Sequence, residues 1–529
     1  MKSQKKLQRK LINVALSTAT LVSTSVIPMV SGLLPAAQAA SVTAKSADAF
    51  VDSVCVNTHF WYDWGSVKPK LQELGIRHHR TGDLDAQLVK DLYNNYGIKL
   101  TMIVSPGFNS NDLKNYVKSI GVEKFDGISG PNEPSLFIKG DYVSIARNTQ
   151  KQLWETLKGD SVTKSIPILT FSPVFPDDAY KLGDVSQWSD MTDIHLYYGG
   201  QNPELKGDAW GTLNWMRKDL AGPVGADQPI VITETGYHNT RQTDGHIGTP
   251  DLGVVAKYIP RLYLYHFKQG ITRSCVYQLY DDGTNPNEQE HNFGLLRYDY
   301  SNKPSFDAVK NLLKLLSDRG ANFKPGSLDF SLSGSTNNVE TLLLQKQNGR
   351  FFLSMWLGAS SFDRQAQKAL SVPSQKVTVS LPKNISGAVI HKIGADGKLT
   401  SKNVTVSNGQ LNMDVSDAVS FVEIAGSTGG STSGSTGSSQ SNPAVTFYED
   451  ANYAGKSQTF SVGKYYADRG QLNTVGNDNI SSLRVPKGLT VNVCENESGG
   501  LCRSFGPGDY SYVGDDLNDI ISYIEVKSN

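Results

Sequence analysis

The sequence predicts a multidomain protein with a (β/α)8 TIM barrel, an all-β accessory sandwich and a small C-terminal β domain. Eight short apolar runs alternate with helix-like segments up to about residue 318. Short β-type segments follow, and a stretch of almost pure Gly, Ser and Thr then isolates the C-terminal part. A chain of 529 residues is too long for one domain, so a division into several is expected.

The N-terminal residues 1–39 have the pattern of a secretory signal peptide. Five basic residues among the first ten precede a mostly apolar stretch, 11–34, and the A-x-A cleavage site Ala37-Gln38-Ala39. The alternative is an N-terminal membrane anchor, but Ser, Thr and Pro interrupt the stretch and favour cleavage. No later segment approaches the length of a membrane span. We therefore expect a secreted, extracellular protein.

The charge balance gives no sign of a polyanionic partner. The chain has 51 basic and 51 acidic residues, and loss of the signal peptide would leave 46 basic residues and a net charge of −5. A mildly acidic protein has no electrostatic reason to bind nucleic acid or an anionic membrane. We expect neither partner, and a monomer is the default.

The barrel is predicted at residues 45–320 from eight apolar runs that fit buried strands. These runs are 52–60, 75–82, 99–106, 125–134, 166–173, 191–199, 229–236 and 273–282. Amphipathic segments such as 83–97 and 141–159 predict connecting helices. Eight strand–helix units fit a closed barrel. The alternative, an open doubly wound sheet, usually has a Gly-rich phosphate turn after its first strand, and this sequence has none.

Two further regions follow the barrel. Residues 324–425 contain short β-type segments such as VETLLLQK and RFFLSMWLG, which predict an all-β sandwich. No linker separates it from the barrel, so we expect the two to pack together. Residues 426–442, GSTGGSTSGSTGSSQSN, predict a flexible tether to a C-terminal domain at 443–529.

Chemistry-bearing side chains collect at the C-terminal ends of the predicted strands, where a (β/α)8 barrel has its active site. Glu133 in FDGISGPNEPS and Glu234 in PIVITETGYHN each end an apolar run. Two such carboxylic acids suit glycosidic chemistry, in which one protonates the leaving oxygen and the other attacks the sugar carbon. The predicted substrate contacts are Asn132, Arg80, His59, Trp61, His195, Tyr197, Tyr237, Gln278 and Tyr280.

The strand order, with Asn-Glu-Pro after the fourth strand and Thr-Glu-Thr-Gly after the seventh, resembles clan A of the glycoside hydrolases, which are retaining β-glycosidases. The resemblance covers residues 48 to about 318, and the sandwich is similar to the accessory domain of families 39, 30 and 79. It implies that Glu133 is the acid/base and Glu234 the nucleophile. It also implies that Asn132 contacts the sugar 2-hydroxyl, and that Tyr197 and Arg80 hydrogen-bond the nucleophile.

One departure from the clan pattern concerns the sugar. Many clan members have a Trp at the end of the eighth strand, where this chain reads VYQLYDD with Gln278 and Tyr280. The sugar and linkage therefore do not follow from the resemblance. The predicted function is a secreted retaining β-glycoside hydrolase that cleaves a β-linked polysaccharide, with endo action favoured and no catalytic cofactor. The alternatives are a catalytically inactive carbohydrate-binding or cell-surface protein and an exo-acting β-glycosidase on oligosaccharides.

The C-terminal domain contains an internal repeat that begins AVTFYEDANYAG and again LTVNVCENESGG. The pair resembles a βγ-crystallin domain of two Greek keys, whose calcium motif is two Asn/Asp, two variable residues, then Ser/Thr and Ser. The candidate Ca²⁺ ligands are Asn477, Asp478, Ser481, Asn518, Asp519 and Ser522. Such oxygen donors suit Ca²⁺. The second motif departs from the pattern at Tyr523, and the alternative is that these residues only build turns.

The four cysteines form two candidate pairs. Cys494 and Cys502 flank a short turn and could close a small disulfide loop. Cys55 and Cys275 lie on the first and eighth predicted strands, which are neighbours in a closed barrel. Either a disulfide or two buried free thiols fits that position.

Overall fold

The computed structural model describes residues 40–82, 84–225, 227–242, 246–425, 444–469, 471–472, 474–496 and 499–528. The predicted signal peptide, 1–39, and the predicted tether, 426–442, lie outside these residues. The chain divides into two compact units, Met1–Gly429 and Gly430–Asn529. Among the described helices, none combines the length and the apolar character needed to cross a membrane.

The first unit contains the predicted eight-stranded parallel barrel. Its strands β1 to β8 are Val54–Asn57, His78–Thr81, Lys99–Ile103, Phe125–Ser129, Ile168–Leu169, Thr192–Tyr197, Ile230–Gly236 and Arg273–Val276. They pair in the order β5-β4-β3-β2-β1-β8-β7-β6, and a bridge between Leu169 and Met191 brings the two edges together. Cys55 on β1 pairs with Cys275 on β8, and a disulfide joins them.

Helices precede or follow the barrel strands, and the longer ones cover the outside of the barrel. Their bounds are Ala47–Asp52, Trp64–Leu74, Ala86–Tyr96, Ser110–Ile120, Pro134–Phe137, Tyr142–Lys158, Pro176–Leu182, Leu213–Met216, Gly222–Gly225, Leu252–Lys268 and Pro304–Leu316. Local sequence sets their ends. The Asp85 carboxylate accepts hydrogen bonds from the backbone N–H groups of Gln87 and Leu88, and Gly97 ends the same helix at a φ of 64°.

Two β-sheets form the predicted sandwich. One contains Ala40–Thr43, Ser327–Gly334, Gln375–Ser380 and Gln410–Val415. The other contains Leu399–Thr405, Gly387–Ile393, Ser420–Ile424, Phe351–Leu357, Val339–Gln345 and Lys45–Ser46. A hairpin of Phe362–Asp363 and Lys368–Ala369 lies beside them. The short strands at residues 40–46 join the sandwich, although the sequence predicted only residues 324–425 there.

A buried ion pair of the barrel contacts the sandwich. Arg261, on a barrel helix, donates from Nε to Glu204 Oε1 at 2.9 Å and from Nη2 to Oε2 at 2.5 Å. Trp356 Nε1 of the sandwich donates to the same Oε1 at 2.7 Å. Apolar residues of both domains, such as Leu262 and Phe352, form one continuous core. The two domains therefore pack together, as expected.

The second unit consists of two four-stranded antiparallel sheets. One contains Ala454–Phe460, Val445–Asp450, Ser482–Val485 and Gly508–Tyr510, and the other contains Gly463–Tyr466, Tyr523–Ser528, Leu489–Asn496 and Gly499–Phe505. Each sheet takes three strands from one sequence repeat and one from the other, which is the arrangement of paired Greek keys. A disulfide joins Cys494 and Cys502.

Candidate active site

A cleft of about 920 Å³ opens at the C-terminal face of the barrel. Its polar walls come from different strands and include Asn57, Arg80, Asn132, Glu133, Tyr197 and Glu234. Aromatic side chains stand at its rim, and Trp61 and Phe137 are 54% and 67% exposed. Exposed flat side chains beside buried polar groups form a surface that fits a sugar, because rings can stack while hydroxyls are hydrogen-bonded.

Glu133 lies just beyond β4, at the start of the short helix Pro134–Phe137. Its φ of 40° is in the left-handed region, which non-glycine residues rarely adopt. Ser172 Oγ lies 3.5 Å from the Glu133 backbone nitrogen. Such a conformation persists only where neighbouring structure imposes it, and it is concentrated at functional sites.

Glu234 lies on β7 and is buried at the base of the cleft. Arg80 Nη1 donates to its Oε1 at 2.7 Å, and the Tyr197 hydroxyl donates to its Oε2 at 2.9 Å. Burial alone would raise the pKa of Glu234. The charges of His195 and Arg80 and the two hydrogen bonds outweigh burial, so this pKa lies below its ordinary value.

Arg80 organises the polar floor of the cleft. Besides Glu234, it donates to Asn57 Oδ1 at 3.1 Å and to Asn132 Oδ1 at 2.6 Å. Asn57 in turn donates to the Thr233 carbonyl at 2.9 Å. The planar guanidinium therefore holds three partners in fixed directions, a geometry that the ammonium group of lysine does not impose.

His195 lies between the two glutamates. Its Nδ1 is 2.7 Å from Glu133 Oε1 and 3.5 Å from Glu234 Oε2. Burial lowers the pKa of His195, but the charge of Glu234 and the contact with Glu133 outweigh it and raise the pKa overall. The ligating atoms of all three residues lie within 4.8 Å of one another. That spacing could also hold a cation, but Arg80 already neutralises Glu234 and opposes one, so we assign no metal.

The structure brings His59 and Trp61 to the cleft, with their rings stacked at a centroid distance of 4.2 Å. Burial lowers the pKa of His59, which favours the neutral ring. These two residues follow β1 and lie where the sequence predicted them.

Four predicted substrate contacts are outside the cleft lining: His195, which contacts the two glutamates, and Tyr237, Gln278 and Tyr280. The Tyr237 hydroxyl donates to the Gln201 carbonyl at 2.9 Å, and Gln278 Oε1 accepts from the Tyr62 hydroxyl at 2.7 Å. Tyr280 is buried against Tyr62, with ring centroids 4.1 Å apart. Gln278 and Tyr280 lie beyond the end of β8 at residue 276, so the side-chain alternation of the strand does not continue to them.

Tyr277 and Glu290 are among the cleft-lining residues that the sequence did not predict. The Tyr277 hydroxyl donates to Glu290 Oε2 at 3.1 Å. Burial raises the pKa of Glu290, Tyr277 opposes the shift, and the charges of Glu234, Asp282 and Glu133 add to it. Glu290 is in the loop after β8, far from any strand end, so no sequence pattern marked it.

The fold and the cleft define a (β/α)8 barrel with a packed β-sandwich and two glutamates at its C-terminal face. No family model and no curated protein matches the chain. Among solved structures, it is similar to a family 39 glycoside hydrolase from the gut symbiont Bacteroides cellulosilyticus WH2. That protein is 19% identical with a TM-score of 0.51, over 72% of this chain and 83% of that chain. At this identity the likeness concerns the fold.

The C-terminal unit is similar to solved βγ-crystallin domains. One from Clostridium beijerinckii is 42% identical with a TM-score of 0.15, over 16% of this chain and 99% of that chain. One from Flavobacterium johnsoniae is 34% identical with the same TM-score, over 16% of this chain and 94% of that chain.

Proposed function

We propose that the chain is a secreted retaining β-glycoside hydrolase that cleaves a β-linked polysaccharide internally. The observation that carries this proposal is that carboxylate oxygens of Glu133 and Glu234 lie within 4.8 Å of each other in one cleft. Retaining glycosidases hold their two carboxyl groups about 5–5.5 Å apart, whereas inverting enzymes need about 6.5–9.5 Å to admit a water. The short separation favours attack by a carboxylate over attack by water.

The roles of the two glutamates follow from their surroundings. Glu234, ionised beside Arg80 and hydrogen-bonded by Tyr197, attacks C1 as the bond from C1 to the leaving oxygen breaks. Glu133 gives its proton to that oxygen. Glu133 then takes a proton from water as the water attacks C1, and Glu234 is released as a carboxylate.

Several features support an exported enzyme that acts on a polymer. The cleft is open and has exposed aromatic residues on its rim, which suits a chain that continues beyond one sugar. The two disulfides suit an oxidising compartment. The N-terminal signal pattern supports export. A closed pocket would have favoured the exo-acting alternative.

We also propose that the C-terminal unit binds Ca²⁺. The two predicted motifs contact each other: Ser481 Oγ donates to Asp519 Oδ1 at 3.3 Å, and Ser522 Oγ donates to Asp478 Oδ1 at 2.9 Å. Asp478 and Asp519 have φ values of 54° and 57°, so equivalent turns present both carboxylates. Clustered carboxylate and hydroxyl oxygens are the donors that Ca²⁺ takes.

The catalytic proposal is tested by sugar release from a panel of β-linked polysaccharides. We expect the native chain to cleave one of them, and Glu234→Gln to lose about 10³-fold or more of that activity. Glu155→Gln is the matched control, because Glu155 is exposed on an outer helix. A rapid fall in viscosity with few new reducing ends would support endo action.

The other outcomes favour the alternatives. Binding to a polysaccharide without cleavage would favour an inactive carbohydrate-binding protein. Release of single sugars from chain ends would favour an exo-acting enzyme. Equal activity of Glu234→Gln and the native chain would reject Glu234 as the nucleophile.

A further inference from the structure

A second cavity adjoins the catalytic cleft between the loops that follow β3 and β4. It has a volume of about 560 Å³ and shares Ile103, Ser105, Asn132 and Phe137 with the cleft. Because the two cavities share these four lining residues, a substituent on a sugar bound at Glu133 is within reach of the second cavity.

The walls of this second cavity are mostly aliphatic. The apolar residues that line it are Ile103, Pro106, Pro131, Phe137, Ile138 and Ile145. The apolar walls offer no hydrogen bonds to the hydroxyls of a bare sugar ring, whereas contact with an alkyl group is favourable there. The cavity therefore suits an apolar substituent better than a hydroxylated ring.

Each polar residue of the cavity has a hydrogen-bond donor that is available to a ligand. They are Ser105, Asn132 and Lys139. Asn132 Oδ1 already accepts from Arg80 at 2.6 Å, which leaves its amide N–H groups to donate. Lys139 can only donate, and within the described ranges neither its ammonium group nor the Ser105 hydroxyl has a protein partner. An ester carbonyl, which only accepts, matches these donors.

We propose that this cavity is a subsite for an O-acyl substituent of the substrate. The alkyl end of the acyl group packs against Ile103, Ile138 and Ile145, and the ester carbonyl faces Lys139 and Ser105. The inference rests on the proposed glycosidase function and narrows its substrate class to an O-acylated β-linked polysaccharide. The ester is recognised and stays intact, since the bond that breaks is the glycosidic bond at Glu133.

The experiment compares partially O-acetylated and fully de-O-acetylated preparations of each polysaccharide in the panel. Burying one methyl group contributes about a fourfold gain in kcat/KM, so we expect the acetylated form to be cleaved about fourfold faster at low substrate concentration. Ile138→Asn introduces a polar group into the cavity and is expected to bring the ratio of the two rates close to one.

Phe137→Ala is a second variant, chosen because this side chain is mostly exposed and its removal does not disturb the core. It is expected to lower the same ratio. Phe175→Ala is the matched control, since Phe175 is an exposed aromatic residue outside both cavities, and it should leave the ratio unchanged.

The outcomes separate the subsite from the enzyme activity. Cleavage of a polysaccharide at equal rates in both forms, or faster cleavage of the deacetylated form, would overturn the acyl subsite and leave the glycosidase proposal standing. A preference for the acetylated form that survives Ile138→Asn and Phe137→Ala would place recognition elsewhere and also overturn it. Cleavage of no polysaccharide in either form would overturn both proposals.

Discussion

Arg80 Nη1 lies 2.7 Å from Glu234 Oε1, and the guanidinium is fully buried. The second terminal nitrogen of Arg80 holds Asn132, the neighbour of Glu133. One side chain therefore sets the charge of the proposed nucleophile and also braces the segment that carries the proposed acid/base.

Replacement of Arg80 is expected to change the pH profile as well as the rate. Arg80→Gln removes the positive charge but not the burial of Glu234, so the pKa of Glu234 rises. The acidic limb of kcat/KM should then move upward by about one pH unit or more. Arg80→Lys keeps the positive charge, so it should lower the rate but shift the acidic limb of the pH profile less than Arg80→Gln does. An unchanged acidic limb in Arg80→Gln would contradict the assignment of Glu234.

Asp193, on β6, is expected to reduce stability at neutral pH. Burial raises its pKa to about 6, although the charges of Arg80 and His195 oppose the shift. The unfolded chain loses this proton near pH 3.9, about two units lower. The contribution of Asp193 to the free energy of unfolding is therefore most favourable below about pH 4, and this stabilisation is lost as the pH rises through 6.

Asp193→Asn should raise the free energy of unfolding at pH 7.5 by about 2–3 kcal/mol and change it little at pH 4. Asparagine retains an acceptor for the Thr233 hydroxyl, which lies 2.5 Å from Asp193 Oδ1. Urea unfolding at the two pH values measures the difference. The same gain at both values would show that the effect does not arise from titration of Asp193.

Asp126→Asn is the matched variant, for which we expect a change of opposite sign in the free energy of unfolding. Burial would raise the pKa of Asp126, but Arg273, at 3.1 Å, and His78 lower it well below its ordinary value. The ionised Asp126 carboxylate therefore stabilises the fold at neutral pH, and this stabilisation is lost as the pH falls. Asp126→Asn should accordingly lower the free energy of unfolding at pH 7.5.

Glu204→Gln is expected to destabilise the interface between the barrel and the sandwich. It leaves the fully buried Arg261 without its counter-charge, which costs about 3–5 kcal/mol in comparable buried pairs. Unfolding followed by tryptophan fluorescence measures the loss. Lys206→Ala is the control, because Lys206 is 74% exposed and lies 3.7 Å from Glu340, a pair worth about 0–1 kcal/mol. Equal effects of the two variants would contradict a stabilising role for the Glu204 contact.

Calcium is expected to stabilise the C-terminal unit of the full-length chain. At a Ca²⁺ concentration of about 100 times Kd, binding adds about 2.7 kcal/mol to its stability. Calorimetry with Ca²⁺ or with a chelator should therefore show one transition that moves. Asp478→Asn should reduce the movement, whereas Asp509→Asn, outside both motifs, should not. Identical melting in Ca²⁺ and chelator would reject the site.

The barrel was predictable because its strands are buried on both faces and read as apolar runs. All five residues of Phe125–Ser129 are buried, for example, and β4 delivers Glu133 directly to the cleft. The rule that the C-terminal ends of barrel strands form the active site then brought Glu133, Glu234, Arg80 and Tyr197 together. The structure adds the distances between them.

Other features depend on tertiary structure and left no local pattern. The strands Ala40–Thr43 and Lys45–Ser46 are too short for alternation to be read, and their partners lie almost 300 residues away. Glu290 reaches the cleft through the path of a loop. Gln278 is outside the cleft lining because β8 ends at residue 276, and packing rather than composition decides where that strand ends.

The stereochemistry of cleavage tests the central claim most directly. Proton NMR of the anomeric signals can follow the first reducing ends that the native chain releases from a β-linked polysaccharide. Attack by Glu234 followed by attack of water inverts C1 twice, so the β-anomer should appear first and the α-anomer only later, by mutarotation. Initial release of the α-anomer would mean a single displacement by water and would contradict Glu234 as a covalent nucleophile.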